Sequence, residues 1–156
     1  MFKKILAYFE SQEWKYSLPD EIEDESHIAF LGIITNNGKF HCILDVKEQD
    51  KKIFFFSIYP KNVPKELRSQ IAEILLRLNY ILFLGTFEMD FSDGELRLKT
   101  CFIYDDSDIS EEMLTHIIKG NIATMDSNFE FISSFLNQKI LMPEAIAFIN
   151  QINEKV

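Results

Sequence analysis

The stretch LGTFEMDFSDGELRLKT, Leu84 to Thr100, alternates apolar and charged residues on both sides of an Asp-Gly pair. Successive side chains of a strand point to opposite faces, so this alternation specifies a half-buried β-hairpin more tightly than any other segment specifies its own structure. Taking Asp93 and Gly94 as a two-residue loop places Phe91 opposite Leu96 and Met89 opposite Leu98 on the inner face. Asp90 then meets Arg97 and Glu88 meets Lys99 outside, and opposite charges in register support the pairing.

A second turn signal, Asn37-Gly38, divides AFLGIIT from FHCILDV and is the residue choice of a type I′ turn, which needs positive φ at both central residues. Its expected register sets Ile33 against Cys42 and Leu31 against Leu44, with Gly32, Ile34, His41 and Ile43 on the other side. After the charged turn KEQDKK comes IFFFSIY, in which Phe54, Phe56 and Ile58 share one face and Ile53, Phe55 and Tyr59 the other. These three strands are apolar on both faces, whereas a sheet in water ordinarily keeps one polar face.

Helical periodicity separates the strand groups. Phe2, Ile5, Leu6 and Phe9 form one stripe of a first helix ending near Trp14; Leu67, Ile71, Ile74, Leu75 and Leu78 form another, opened by Pro64 and stopped near Asn79. Asp108 with Glu111 makes a capping-box-like start to the longest stripe, Leu114, Ile117, Ile118, Ile122, Met125, Phe129, Ile132 and Leu136. A short amphipathic tail, Ala145, Phe148, Ile149 and Ile152, follows Pro143. The order is αβββαββα with an extra C-terminal helix: an α+β chain with a five-stranded antiparallel sheet packed by helices, read as a single domain over residues 1–156.

Composition excludes several functions. The net charge of −9 repels nucleic acid backbones. No window has the roughly 18 consecutive apolar residues of a membrane span, and the N-terminus, interrupted by Glu10 and Glu13, does not read as a signal peptide, so the expected location is the cytoplasm. Catalytic and cofactor chemistry finds no constellation. His41 and Cys42 are strand neighbours pointing apart, and the three histidines are scattered. The glycines lack phosphate-cradle spacing. The carboxylate run Asp20, Glu21, Glu23, Asp24 and Glu25 has no Gly and reads as a solvated loop instead of a calcium site. Asn79 and Asn121 border apolar stripes and read as capping or helix-to-sheet hydrogen-bonding groups, with a binding role as the alternative.

The segment LLRLNYILFLGTFEMDFSDGELRLKTCF, with Trp14, ITNNGK, the Val63-Pro64 pair and IIKGNIATMDSNFEFI around it, resembles the central signature of the YbjN-like family. The resemblance implies a fold like that of type III secretion chaperones, an often dimeric cytosolic protein, and members described as regulators without an assigned enzymatic activity. Its motif residues Asn79, Tyr80, Gly85, Phe87 and Gly94 are turn and core types. With no cofactor or metal expected, the chain reads as a non-enzymatic chaperone-like or regulatory module that binds a polypeptide, or itself as a homodimer, on an apolar sheet face. The residues assigned to that face are Ile34, His41, Ile43 and Phe55, the last standing for one set among Phe54, Phe55 and Phe56. The alternatives are a small enzyme, thiol-dependent through Cys101 with His41 or using an acidic pair, and a toxin-neutralising or secretion-linked binding protein. The tail helix is the rival cover for the same face.

Overall fold

The computed structural model describes residues 1–20, 26–105 and 109–154. Its elements are α1 (Phe2–Ser11), β1 (Tyr16–Ser17), β2 (Ser26–Ile34), β3 (Lys39–Lys47), β4 (Lys52–Ile58), α2 (Arg68–Ile81, entered through a 3-10 turn at Lys65–Leu67), β5 (Thr86–Met89), β6 (Leu96–Ile103), α3 (Glu111–Leu136) and α4 (Met142–Asn153). The acidic run from Glu21 to Glu25 lies outside the described residues, as does Asp108. The side chain that caps α3 is Ser110, whose hydroxyl accepts from the Met113 N–H at 3.1 Å.

All strand pairs are antiparallel, in the order β1-β2-β3-β4-β6-β5. Six strands stand among the described residues where five were expected. The additional one is the two-residue β1, Tyr16–Ser17 against Leu31 and Phe30, too short to show an alternation in sequence. It follows a helix end built from sequence-local bonds. The Glu13 N–H donates to Glu10 O and the Trp14 N–H to Phe9 O, while the Trp14 ring packs on Phe9 with centroids 5.8 Å apart. This is the Schellman pattern, with Glu13 at φ 57 in the left-handed position.

Both hairpins keep the predicted faces but not the predicted register. Ile34 pairs with Lys39 and Ile33 with Phe40, so Thr35–Gly38 is a four-residue loop and no type I′ turn forms. Gly38 does not have positive φ. It is needed for room: a Cβ there would sit 2.5 Å from the Phe129 ring on α3. In the second hairpin Phe87 pairs with Leu98, Glu88 with Arg97 and Met89 with Leu96, leaving Asp90–Glu95 as the loop and Phe91 exposed rather than inside. Gly94 does have positive φ, at 88°, and Val63 O would lie 2.3 Å from any Cβ. Arg68, the first residue of α2, ties this loop down by donating to Phe91 O and Asp93 O at 2.7 Å each.

The helices lie on one side of the sheet. Their buried stripes, including Ile5 and Phe9, Ile71 and Ile74, and Ile118 and Met125, join Leu44, Val46, Phe55, Phe87, Leu96 and Leu98 in one core. Asn79 and Asn121 are both helix-to-sheet ties. Asn79 accepts from the Phe87 N–H at 2.8 Å and donates to Phe87 O at 3.0 Å. Asn121, fully buried, accepts from the Ser57 hydroxyl at 2.6 Å and donates to Thr100 Oγ1 at 2.9 Å. Helix α4 packs against α2 and α3, burying Ala145 and Ile149 and stacking Phe148 on Phe131. It therefore joins the helical layer, and the rival cover of the opposite sheet face is not in place.

Candidate functional site

With the helices on one side, strand alternation puts the remaining side chains on a face that none of the described helices covers. Register aligns Phe30, Ile43, Phe56 and Lys99 in one row across it, and Gly32, His41, Ile58 and Arg97 in the next. Of the residues assigned to this face, Ile34 is 78% exposed at its end, His41 is exposed and Ile43 half-buried. Phe55 is a correction. It pairs with Leu44 and is fully buried in the core, because β4 turns its odd-numbered side chains toward the helices; Phe54 and Phe56 are the members of the run that face outward.

The two outward phenylalanines stack, with centroids 6.2 Å apart and planes within 9°. The Arg97 guanidinium lies 4.7 Å above the Phe56 ring, a cation–π contact that flattens its stem along the aromatic surface. Glu88 on the edge strand bonds both Arg97, at 3.1 Å, and Lys99. Burial works to raise the Glu88 carboxyl, but the bonds from Lys99 and Arg97 outweigh it and hold the group below the usual carboxylate range. The result is an aromatic platform with a pinned, charged border.

One end of the platform meets an unpaired strand edge. β1 covers only Phe30 and Leu31 of β2, so Gly32, Ile33 and Ile34 have no strand partner on that side among the described residues. The Thr35 N–H donates to Gly38 O at 2.9 Å, toward β3, and by alternation the Ile34 amide and carbonyl point to the open side. A hollow of about 670 Å³ adjoins this edge, lined by Trp14, Ile33 and Ile34 with Ile122 and Ala123 of α3 and charged at its rim by Lys119 and Asp126. Sequence reasoning missed it, since it is assembled from a helix end, a strand end and the middle of α3.

A family model described as "YbjN: Putative bacterial sensory transduction regulator" matches residues 3–134. The chain belongs to the YbjN family. The matched span runs from α1 into the last turn of α3 and ends before α4. Among curated proteins none matches this YbjN chain. Among solved structures, a chain of the "HopA1-SchA Chaperone-Effector Complex" is similar, with a TM-score of 0.48, 16% identity, and coverage of 80% of this chain and 90% of that one.

The YbjN chain does not assemble the thiol-imidazole pair. Cys101 is opposite Phe54 and His41 opposite Ile58, so two strand spacings and four residues of rise separate them, roughly 16 Å. Cys42 is buried, and burial pushes its thiol up to about 12, far from a reactive thiolate. No group of three His, Cys, Asp or Glu side chains among the described residues is placed to hold a metal, and no described helix is long and apolar enough to cross a membrane.

Proposed function

We propose that this YbjN protein is a non-enzymatic, chaperone-like or regulatory module that holds a polypeptide segment on the uncovered sheet face and works as a homodimer. The observation that carries the reading is the one-sided helical layer, which leaves Phe30, Ile34, Ile43, Phe54 and Phe56 on a face that none of the described helices covers. A contiguous apolar surface of this kind, rimmed by Lys47, Lys52, Arg97 and Lys99, is the signature of an interaction site. The unpaired backbone of β2 beside it supports an extended ligand in particular, because an added strand satisfies the free amide and carbonyl while its alternate side chains reach the platform. The family description as a regulator agrees with a binding role.

The test is fluorescence anisotropy with a labelled, permanently unfolded polypeptide, reduced and carboxymethylated. The wild-type chain should bind it saturably. Ile43→Glu and Phe56→Glu should each weaken binding by about tenfold or more, equivalent to ~1.4 kcal/mol, with unchanged far-ultraviolet circular dichroism. No binding by wild type, or equal binding by both variants, refutes the reading.

A further inference from the structure

Two pairs in the sequence have the composition that cyclises to a succinimide, Asn37-Gly38 and Asp93-Gly94, and both lie in hairpin loops. The attacking group in that reaction is the backbone nitrogen after the side chain, and a glycine there, with no Cβ, leaves the approach unhindered. Asn37 is the one asparagine of the chain that precedes a glycine. The two loops hold their pairs differently. The Gly94 N–H donates to Asp90 O at 2.8 Å, the Glu95 N–H donates to Asp93 Oδ1 at 2.8 Å, and Asp93 O accepts from Arg68 at 2.7 Å. Nucleophile and electrophile of that pair are both committed. A carboxylate also repels a nucleophile, whereas a carboxamide is neutral and sheds ammonia.

Asn37 is exposed and its loop is held by longer bonds. The Gly38 N–H meets the Thr35 hydroxyl oxygen at 3.2 Å, and the same hydroxyl donates to Gly38 O at 2.9 Å. Asn37 clasps α3: its backbone N–H donates to Asp126 Oδ1 at 3.1 Å, and its side-chain Nδ2 donates to Asp126 O at 3.2 Å. Both clasp bonds are exposed to water, which competes for them. We propose that Asn37 is a site of spontaneous deamidation, gated by these bonds from Thr35 and Asp126, and that its conversion releases the β2–β3 loop from α3. The inference goes beyond the polypeptide-binding reading and does not depend on it.

In the reaction the Gly38 nitrogen loses its proton to hydroxide and bonds to Asn37 Cγ. The Cγ–Nδ2 bond breaks, and the nitrogen leaves as ammonia with a proton from water. Water then adds to either ring carbonyl and opens the succinimide to aspartate or isoaspartate, with no oxidation or reduction. Either product undoes the clasp. The donor that faced Asp126 O becomes a carboxylate oxygen, acceptor against acceptor, and the Asp126 carboxylate is a like charge on the same contact. Isoaspartate also lengthens the backbone of the loop by a methylene. Thr35 and Asn36 wall the hollow of about 670 Å³ beside β2, and Asp126 lines it too, so conversion opens that hollow and adds negative charge at its mouth.

The test is incubation of the full folded chain in mildly alkaline buffer, with peptide mapping by mass spectrometry and isoaspartyl methyltransferase labelling. Asn37 should convert and Asp93 should remain aspartate. Asp126→Ala and Thr35→Val, each with wild-type circular dichroism, should speed conversion by about fivefold, the factor carried by one net hydrogen bond. Asn37→Asp, made directly, should show faster hydrogen exchange over residues 35–38 with the interiors of β2 and β3 unchanged. No conversion of Asn37 in the folded chain, isoaspartate at Asp93 forming as fast, or an unchanged rate in both Asp126→Ala and Thr35→Val overturns the assignment of a gated site. Wild-type exchange in Asn37→Asp overturns the release of the loop.

Discussion

Replacing Asn121 by Ala should destabilise the protein more than any other single polar substitution in α3. Its side chain makes the Ser57 bond at 2.6 Å, the Thr100 bond at 2.9 Å, and weaker donations to Phe55 O at 3.2 Å and Leu98 O at 3.3 Å, all without solvent. At ~1 kcal/mol net for each well-formed bond, and with the Thr100 hydroxyl left buried and unpaired, the loss comes to about 3–4 kcal/mol. Ser57 is partly relieved because Cys42 Sγ remains 3.3 Å away. Asn121→Leu should cost nearly as much, since it refills the space but leaves the same sheet groups unsatisfied. Adding Ser57→Ala and Thr100→Val to Asn121→Leu should recover most of that cost, because removing both partners of a buried bond is far less harmful than removing one. Urea denaturation followed by circular dichroism measures each difference. With a slope of ~1–3 kcal/mol/M, the Asn121→Ala midpoint should fall by at least about 1 M. A loss below ~1 kcal/mol, or a triple variant no more stable than Asn121→Leu, would show that the network does not tie α3 to the sheet.

Two further outcomes follow from single contacts. Gly94→Val should fail to reach the wild-type fold or melt far lower, because positive φ excludes a β-branched residue and Val63 O occupies the Cβ position; a wild-type melting curve would contradict the loop geometry. Glu48 accepts from the Phe2 N–H at 2.9 Å and from the Met1 ammonium at 3.0 Å, and the Phe2 bond, followed by that of the ammonium, holds its carboxyl below the ordinary value. Its contribution is thus present above the unfolded carboxylate pKa of ~4.3 and is lost as pH falls through the lower folded value. The stability gap between wild type and Glu48→Gln, measured by denaturation at neutral pH and near pH 3, should shrink on acidification, and a gap that widens would refute the clamp.

Much of the architecture was legible from residue periods. Alternation of two grouped Leu31, Cys42 and Leu44 on one face and set Leu96 and Leu98 inside their hairpin, and the helical spacing of Ile71, Ile74, Ile118 and Met125 named the stripes that pack on the sheet. Asn79 and Asn121 stood out because a polar residue on an apolar stripe needs a buried partner. Tertiary structure alone decided the hairpin registers, since a shift by two residues keeps every side chain on its face and alternation cannot detect it. What selected the longer loops is packing from distant chain: the Phe129 ring against Gly38, and Val63 with Arg68 against the Gly94 loop. The choice among Phe54, Phe55 and Phe56 was equally undetermined, because a strand apolar on both sides has no intrinsic inside, and it was settled by which face of β4 received α3. The tail helix carried an apolar stripe that fitted either surface; it lies on α2 and α3, and so no described helix covers the opposite face of the sheet, readable in sequence only as an excess of apolar residues.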